Sequence, residues 1–382
     1  MDNHGEAMIV QVPLFCLRHG TAAGLESSVS NLIEGIVQTG TSVSLPISSF
    51  NRLNPEFSRW AQRQANVVFK EYPLIKGGTW TRFVEETIFY NMQTVRDPII
   101  FPNYFLPPAV RGQSTSLFPY IHDCQHRVFP QYFSSKKRLW LDLNFKRALN
   151  NAARVFLISE FERLQIARFF GDKRARNCTV VYNPVNWDRY TRGNATQEII
   201  SLSEKYFMLT VSHQYVHKNT EKIVDAFALL AEKFPDLHLV LVGRESKNVS
   251  DRINAISDTR VRSRILLTGF IKDSDLGRLY MKCRLFVLAS EYEGFGMPAV
   301  EAMGFGVPVI VTNGSSLPEV TMGNAVYVEP GSESTDWADA IAQQLRGRRD
   351  EQHLSQAAAA VRARFQPLSV ANSVLNCIKN RI

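Results

Sequence analysis

The chain has 382 residues, 45% apolar and 21% charged, the balance of a globular protein long enough for two domains of ordinary size. No apolar run approaches the roughly 20 residues of a membrane-spanning helix, which argues against a helical integral membrane protein. The net charge is +8 and lopsided: residues 51–200 hold 22 Lys+Arg against 12 Asp+Glu. Met1 to Glu6 is polar and lacks a basic stretch, so no signal peptide is expected. Cys16, Cys124, Cys178, Cys283 and Cys377 are scattered without a CxxC pair. They read as reduced thiols of a cytoplasmic protein rather than a disulfide frame or a zinc site.

In chain order, Ala7 to Leu14 is an apolar run and reads as a first strand. Arg18-His-Gly-Thr-Ala-Ala-Gly-Leu-Glu26 follows, then a helical stretch to about Val37. This loop has Gly20 and Gly24 but no GxGxxG, which argues against a nicotinamide-type dinucleotide site. A plain strand-to-helix turn accounts for it equally well. Residues 40–115 alternate short strands, such as Val43 to Pro46 and Pro98 to Phe101, with polar and aromatic pieces. Phe101 to Pro108 is a rigid loop, and the region offers no chemistry to name. Leu117-Phe-Pro-Tyr-Ile-His122-Asp123 is a strand ending in a polar pair, and in an open α/β sheet that end lines the ligand crevice. His122-Asp-Cys-Gln-His126 also invites a metal reading, although metal sites usually draw on separated segments with a second shell. A buried, hydrogen-bonded His122 without a role is a third reading.

Ser134 to Arg147 is the most basic stretch, with Lys136, Lys137, Arg138 and Trp140 together at one end. A basic cluster beside an exposed tryptophan suits an anionic membrane surface. It would suit nucleic acid too, but no nucleic-acid motif accompanies it, and no such partner is expected. A solvated helix face is the plainer alternative. Ala153 to Ser159 reads as a strand, with Ser159 and Glu162 as a capping box for a helix to Phe170. Thr179 to Asp188 runs from a strand into a proline turn. The domains are accordingly placed at 1–188 and 189–367, with 189–204 as linker. A last helix, about 368–382, is expected to cross back to the first domain.

The second domain opens with the strand Tyr206 to Val211. Lys218 stands just before a helix, Thr220 to Lys233, where it is placed to pair with a diphosphate; a plain surface lysine is the alternative. His238 to Gly243 and Ile265 to Ile271 read as strands, and Asp273 to Lys282 as a helix. The strongest signal follows. Leu285 to Ala289 is a buried parallel strand, and Glu291 to Glu301 is a loop with Gly294 and Gly296. That loop leads into a helix with Pro298 at its first position, and Val307 to Thr312 closes a βαβ unit. Strand, glycine loop and helix N-terminus make an anion site of bare amides and a helix dipole. Glu293 and Glu301 bracket it, the second expected in the helix's first turn. They fit a phosphate ligand with sugars on either side, because a carboxylate accepts two hydrogen bonds from a vicinal diol. Otherwise Glu301 complements the dipole and Glu293 is a solvated loop charge.

The run Glu293-Gly-Phe-Gly-Met-Pro-Ala-Val-Glu301 resembles the E-x7-E signature of the retaining GT-B glycosyltransferases of family 4, and the similarity extends from Ser290 to Glu319. The resemblance implies an α/β fold of two doubly wound Rossmann-like domains facing a central cleft. The N-terminal domain would bind the acceptor and the C-terminal one the nucleotide-sugar donor. It implies that Glu293 touches the donor sugar's hydroxyls, that Gly294, Phe295, Gly296 and Met297 meet sugar and phosphate, and that Glu301 holds the ribose. His122, with Asp123 beside it, becomes the active-site histidine close to the donor sugar. Gly20 and Gly24 fall in the loop that faces the donor phosphate and the acceptor. Lys218 matches the family's pyrophosphate lysine, but the arginine usual five residues earlier is His213 here. Arg244 is a cation able to replace it. Gly269, Phe270 and Ile271 would meet the nucleotide base.

Such sites are expected to need no metal and no cofactor beyond the donor. The family's usual account is retention by front-face attack assisted by the departing phosphate, with Lys218, the loop amides and the helix dipole taking up the leaving charge. The pattern His-Asp-x-Gln-His-x-x-Phe-Pro, from His122 to Pro130, is similar to bacterial polysaccharide transferases, often mannosyl or rhamnosyl. The expected reaction is transfer of a hexose, mannose from GDP-mannose being favoured, to a saccharide acceptor that is lipid-linked. The setting is O-antigen or other cell-surface polysaccharide synthesis, in the cytoplasm or peripheral on the inner membrane. Two alternatives stay open: a nucleotide-sugar epimerase of GT-B architecture, and a nucleotide-sugar-binding protein without catalysis.

Overall fold

The computed structural model describes residues 8–17, 23–48, 53–72, 84, 87–88, 97–106, 116–213 and 215–381. Gly20 and most of the expected glycine loop lie outside them. The chain divides into two compact units, Met1–Val185 with Phe365–Ile382, and Asn186–Arg364.

In the first unit the strands are β1 (Ile9–Gln11), β2 (Ser42–Ser48), β3 (Val67–Tyr72), β4 (Ile99–Phe101), β5 (Leu117–Ile121), β6 (Val155–Leu157) and β7 (Cys178–Val180). They form one parallel sheet in the order β3-β2-β1-β4-β5-β6-β7. β4, β5 and β6 are buried along their whole length, as strands covered on both faces are. The second unit has β8 (Tyr206–Val211), β9 (Leu237–Val242), β10 (Ile265–Gly269), β11 (Leu285–Leu288), β12 (Val309–Thr312) and β13 (Val326–Val328). Their order is β10-β9-β8-β11-β12-β13, again parallel. Counted within its own unit, each sheet follows the doubly wound order in which the first strand lies beside the fourth. The ligand crevice of such a sheet opens at the carboxyl ends of those two strands. They are β1 and β4 in one unit, β8 and β11 in the other.

The helices that position the site are α1 (Ala23–Gln38), α2 (Ser135–Asn151), α3 (Glu160–Phe170), α4 (Thr220–Leu230), α5 (Asp273–Lys282), α6 (Met297–Gly304), α7 (Ser334–Arg346), α8 (Glu351–Phe365) and α9 (Pro367–Lys379). The chain leaves the first unit after Val185, where the sequence reading had placed 188, and re-enters it at Phe365. There Val185 N donates to Phe365 O at 2.7 Å. α9 then packs on α1 so closely that a Cβ on Gly35 would stand 2.1 Å from Pro367 O. Only glycine permits that approach.

Two expectations are corrected. Residues 189–204 are packed structure, not a linker: they contain short helices at Asp188–Thr191 and Gln197–Ser203. Arg189 pairs with Asp273 at 2.6 Å, and Thr196 N donates to Asp275 Oδ1 at 2.7 Å, which fastens the segment to α5. At α3, Ser159 Oγ accepts from Glu162 N as an N-cap, and the fully buried Glu162 carboxylate also accepts from Cys124 N. A complete capping box is present at α7, formed by Glu333 and Asp336. Finally, Trp140 is not exposed. It turns inward from α2 against Tyr104, with ring centroids 5.8 Å apart.

All five cysteines are free thiols, and Cys124, Cys178 and Cys283 are buried. Burial pushes the Cys178 and Cys283 thiols up to about 12, which leaves them unreactive at neutral pH. No helix among the described residues is long and apolar enough to cross a membrane.

Candidate active site

In the second unit the loops after β8 and β11 meet at the switch point. After β8 the chain passes Ser212 and His213, makes a short 3-10 turn over Val216–Lys218, and enters α4 through Asn219 in the left-handed region (φ 49°). Asparagine tolerates that conformation, and its amide bonds to Ala289 O and Glu291 Oε1 of the neighbouring loop. The result brings Lys218 Nζ to 2.7 Å from Glu293 Oε1. Ser290 Oγ donates to the same oxygen at 2.8 Å. The Glu293 backbone is held by Ser315 Oγ and Ser316 Oγ, so the carboxylate is fixed from several sides.

Gly296 caps α6 with φ 89°, and a Cβ there would stand 2.7 Å from Leu317 Cδ2. Phe295 is buried at 2%, so its ring packs into the unit and is not a ligand contact. Met297 starts the helix and Pro298 is its second residue, with no acidic residue in the first turn.

Glu301 therefore differs from expectation. It lies in the second turn of α6, buried to 6%. One carboxylate oxygen accepts from Tyr190 Oη at 2.5 Å and the other from Tyr280 Oη at 2.8 Å. Burial pushes its carboxyl above the ordinary range, against the pull of these two hydrogen bonds and of Arg189. A carboxylate has about four acceptor positions, so two remain for a ligand.

Burial, Lys218 and Arg244 together hold His213 below its ordinary value, which places all three groups in one field. Arg244 is exposed, and it follows Gly243, whose φ is 124°. A Cβ on Gly243 would stand 2.1 Å from Ser212 O, so glycine lets the ends of β8 and β9 close together. Gly269 turns with φ 65°, and Phe270 after it is 65% exposed, its ring edge-on to His213 at 5.4 Å. Ile271 is half-buried beside it.

In the first unit, Gly24 stands in the first turn of α1 with open space around it. His122 follows β5, and its Nε2 lies 2.7 Å from Pro102 O. Nε2 is thus the donor, leaving Nδ1 as an acceptor. Burial holds the ring below its ordinary value, so it is neutral at pH 7. Asp123 turns back to accept from Gln125 N. His126 goes elsewhere: it is buried and bonds Asp142 at 3.0 Å, which also pairs with Arg127. The two histidines do not converge, and no group of three or more His, Cys, Asp or Glu is poised for a metal among the described residues.

A cavity of about 330 Å³ opens beside His122, lined among others by Asn103, Tyr104, Asp123, Lys137 and Trp140. Its walls come from the segments after β1, β4 and β5, the crevice end of the sheet. Aromatic faces next to amide, carboxylate and ammonium groups suit a saccharide. Sequence reasoning missed Tyr104 and Trp140 here, and Ser290, Ser315, Tyr190 and Tyr280 in the second unit. Tyr104, Trp140, Tyr190 and Tyr280 come from other segments with no local spacing to flag them, whereas Ser290 and Ser315 lie within the run already singled out.

Comparison with known proteins follows the same lines. Residues 194–361 match the family model described as glycosyl transferases group 1. Over 189 residues the chain is 31% identical to the serotype-specific mannosyltransferase WbdA of Escherichia coli, covering 44% of this chain and 22% of that protein. Over 176 residues it is 29% identical to the GDP-mannose:cellobiosyl-diphosphopolyprenol alpha-mannosyltransferase of Xanthomonas oryzae pv. oryzae, covering 45% and 43%. The chain thus spans less than half the length of either relative. Among solved structures, Anabaena HepE in complex with UDP and glucose superposes with a TM-score of 0.71 at 18% identity, covering 98% of this chain and 100% of that one. The chain has the GT-B fold of its solved neighbours, and residues 194–361 within its second unit are similar to the glycosyl transferases group 1.

Proposed function

We propose that the chain is a retaining hexosyltransferase that moves mannose from GDP-mannose to a lipid-linked saccharide in the synthesis of a cell-surface polysaccharide. The observation that carries this reading is the Lys218–Glu293 pair at the β8/β11 switch point. It sets one cation for a diphosphate beside one carboxylate for a sugar diol. Lys218 and Arg244 meet the diphosphate, and His213 gains a proton as the phosphate arrives. The Gly294 to Met297 amides and the positive end of α6 add to the same field. Phe270 stacks on the base, and Glu301 offers its remaining acceptor positions to the ribose. In the first unit, His122 Nδ1 accepts from a saccharide hydroxyl in the pocket walled by Trp140 and Tyr104.

The fixed cations and amides are aimed at the charge that grows on the leaving diphosphate, and they do so without reorganising. No metal is required in this account. Retention follows the front-face course that the E-x7-E resemblance implies. The donor and the lipid-linked acceptor draw their support from the names of the mannosyltransferase relatives, and the relatives favour transfer over isomerisation. The protein works in the cytoplasm, peripheral on the inner membrane.

The test is a transfer assay with labelled GDP-mannose and a diphosphopolyprenol-linked saccharide, in EDTA and in magnesium. Equal mannosylation in both supports the reading. Transfer from another nucleotide sugar would keep the reaction and replace the donor. Interconversion of nucleotide sugars without an acceptor would favour an isomerase.

A further inference from the structure

We infer that the second unit carries a second anion site, at the amino ends of β11 and β12, that takes the phosphate group of a small phosphate ester. A cavity of about 250 Å³ opens there. Arg284 and Leu285 stand where β11 begins, and Pro308 stands just before β12. α7 ends at Arg346 and α8 begins at Glu351, so only a short turn carries the chain through the corner beside those strand ends. Both strands run from this corner towards the loops of Glu293 and Ser315, and β11 alone spans about 13 Å. The cavity therefore lies at the end of the sheet opposite the proposed donor crevice.

Charge decides the ligand. Arg284, Arg348, Arg349 and His353 line the cavity against one carboxylate, Asp350. Asp350 is turned to its own helix, where Oδ1 accepts from His353 N at 3.0 Å. Arg349 is engaged as well: it donates to Gly306 O at 2.8 Å, and its Nε lies 2.9 Å from Glu351 Oε1. Arg284 and Arg348 are left without an ion pair or a side-chain hydrogen bond among the described residues. Arg284 is half-buried, and a half-buried guanidinium without an acceptor is costly.

Two unengaged guanidinium forks on one cavity match the oxygens of a phosphate, which each fork can bind through two parallel hydrogen bonds. His353, exposed on the same wall, can add a ring N–H. Leu285, Pro308 and Leu345 make the remaining wall apolar, which strengthens a charge pair by keeping water from it. The volume lies below the roughly 300–1,000 Å³ of drug-sized pockets, room for the ester of a single sugar rather than for a nucleotide sugar. The inference does not rest on the transferase reading, since this cavity and the proposed donor crevice share no residue.

The test is calorimetric titration of the full chain with inorganic phosphate, mannose 6-phosphate and mannose, at about 0.15 M salt, which screens a diffuse cationic surface. The expected result is binding of both phosphates and not of mannose. R284Q/R348Q should weaken it about 10-fold or more, while Lys218→Ala stays within about threefold of wild type. Arg348 is exposed, so Arg348→Glu alone should also weaken binding and keeps the test decisive if the double variant unfolds. The proposal is overturned if neither phosphate binds at millimolar concentration, or if the arginine variants bind like wild type. Loss of binding in Lys218→Ala but not in the arginine variants would place the phosphate in the donor crevice and overturn it too. Binding of inorganic phosphate alone would overturn the ester.

Discussion

Lys218 Nζ lies 2.7 Å from Glu293 Oε1, and each side chain is about 15% exposed, at 15% and 14%. In the proposed site both partners must be shared with the donor, the lysine with phosphate and the carboxylate with sugar. The two halves should therefore fail differently. Lys218→Ala should weaken nucleoside diphosphate binding about 10-fold or more, since a charged hydrogen bond contributes about 1.5–3 kcal/mol. Glu293→Gln should leave diphosphate binding within about threefold and lower kcat about 10–100-fold, because its sugar contact counts only once a sugar is present. Equal losses of diphosphate affinity in both variants would mean that the pair only holds the loops together.

His213 gives a pH signature. Its depressed value makes it neutral in the free protein at pH 7.5, and a bound diphosphate favours its charged form. Binding should take up a proton, so affinity should rise as pH falls from 7.5 towards 6. His213→Arg should bind more tightly at pH 7.5 and flatten the profile. A flat wild-type profile would remove His213 from the phosphate site.

Glu301 separates packing from ribose binding. Its carboxyl is raised above the unfolded value, so its contribution to stability is full below about pH 4.3 and is lost as pH rises through the folded value. Glu301→Gln removes that loss and should be at least as stable as wild type at pH 8 in urea. Its nucleotide affinity should nevertheless fall about 10-fold, from loss of charged acceptors worth about 1.5–3 kcal/mol. Unchanged affinity would confine Glu301 to its two tyrosines.

Gly243 tests the architecture beneath the cations. Gly243→Ala combines a φ of 124° with a Cβ 2.1 Å from Ser212 O. It should cost about 2 kcal/mol or more in urea unfolding and weaken nucleotide binding by displacing His213. Wild-type stability would show that β8 and β9 can part without cost.

Much of this was legible in the sequence because parallel strands are buried on both faces. β8, β11 and β12 stand out as unbroken apolar runs, and the glycine loop between β11 and α6 follows from them. β3 was not legible: it is the sheet's edge strand, only partly buried, with Lys70 and Glu71 breaking its apolar pattern. The orientation of α2 was blurred because Leu139, Leu141, Leu143 and Phe145 alternate. Tertiary contact decided that Leu141 and Phe145 face the core and Trp140 the pocket. Glu301 was misplaced by one residue, from the end of the first turn to the second, because α6 starts at Met297 after Gly296 and not at Pro298. Its partners Tyr190 and Tyr280 come from two other segments, which no local pattern could join.

The most direct measurement is a calorimetric titration of the wild-type chain and Lys218→Ala with GDP, UDP, ADP and dTDP. The account predicts binding with preference for GDP, weakened about 10-fold or more in the variant. No binding to any of the four, or binding indifferent to Lys218, would contradict a nucleotide-sugar donor held at the β8/β11 switch point.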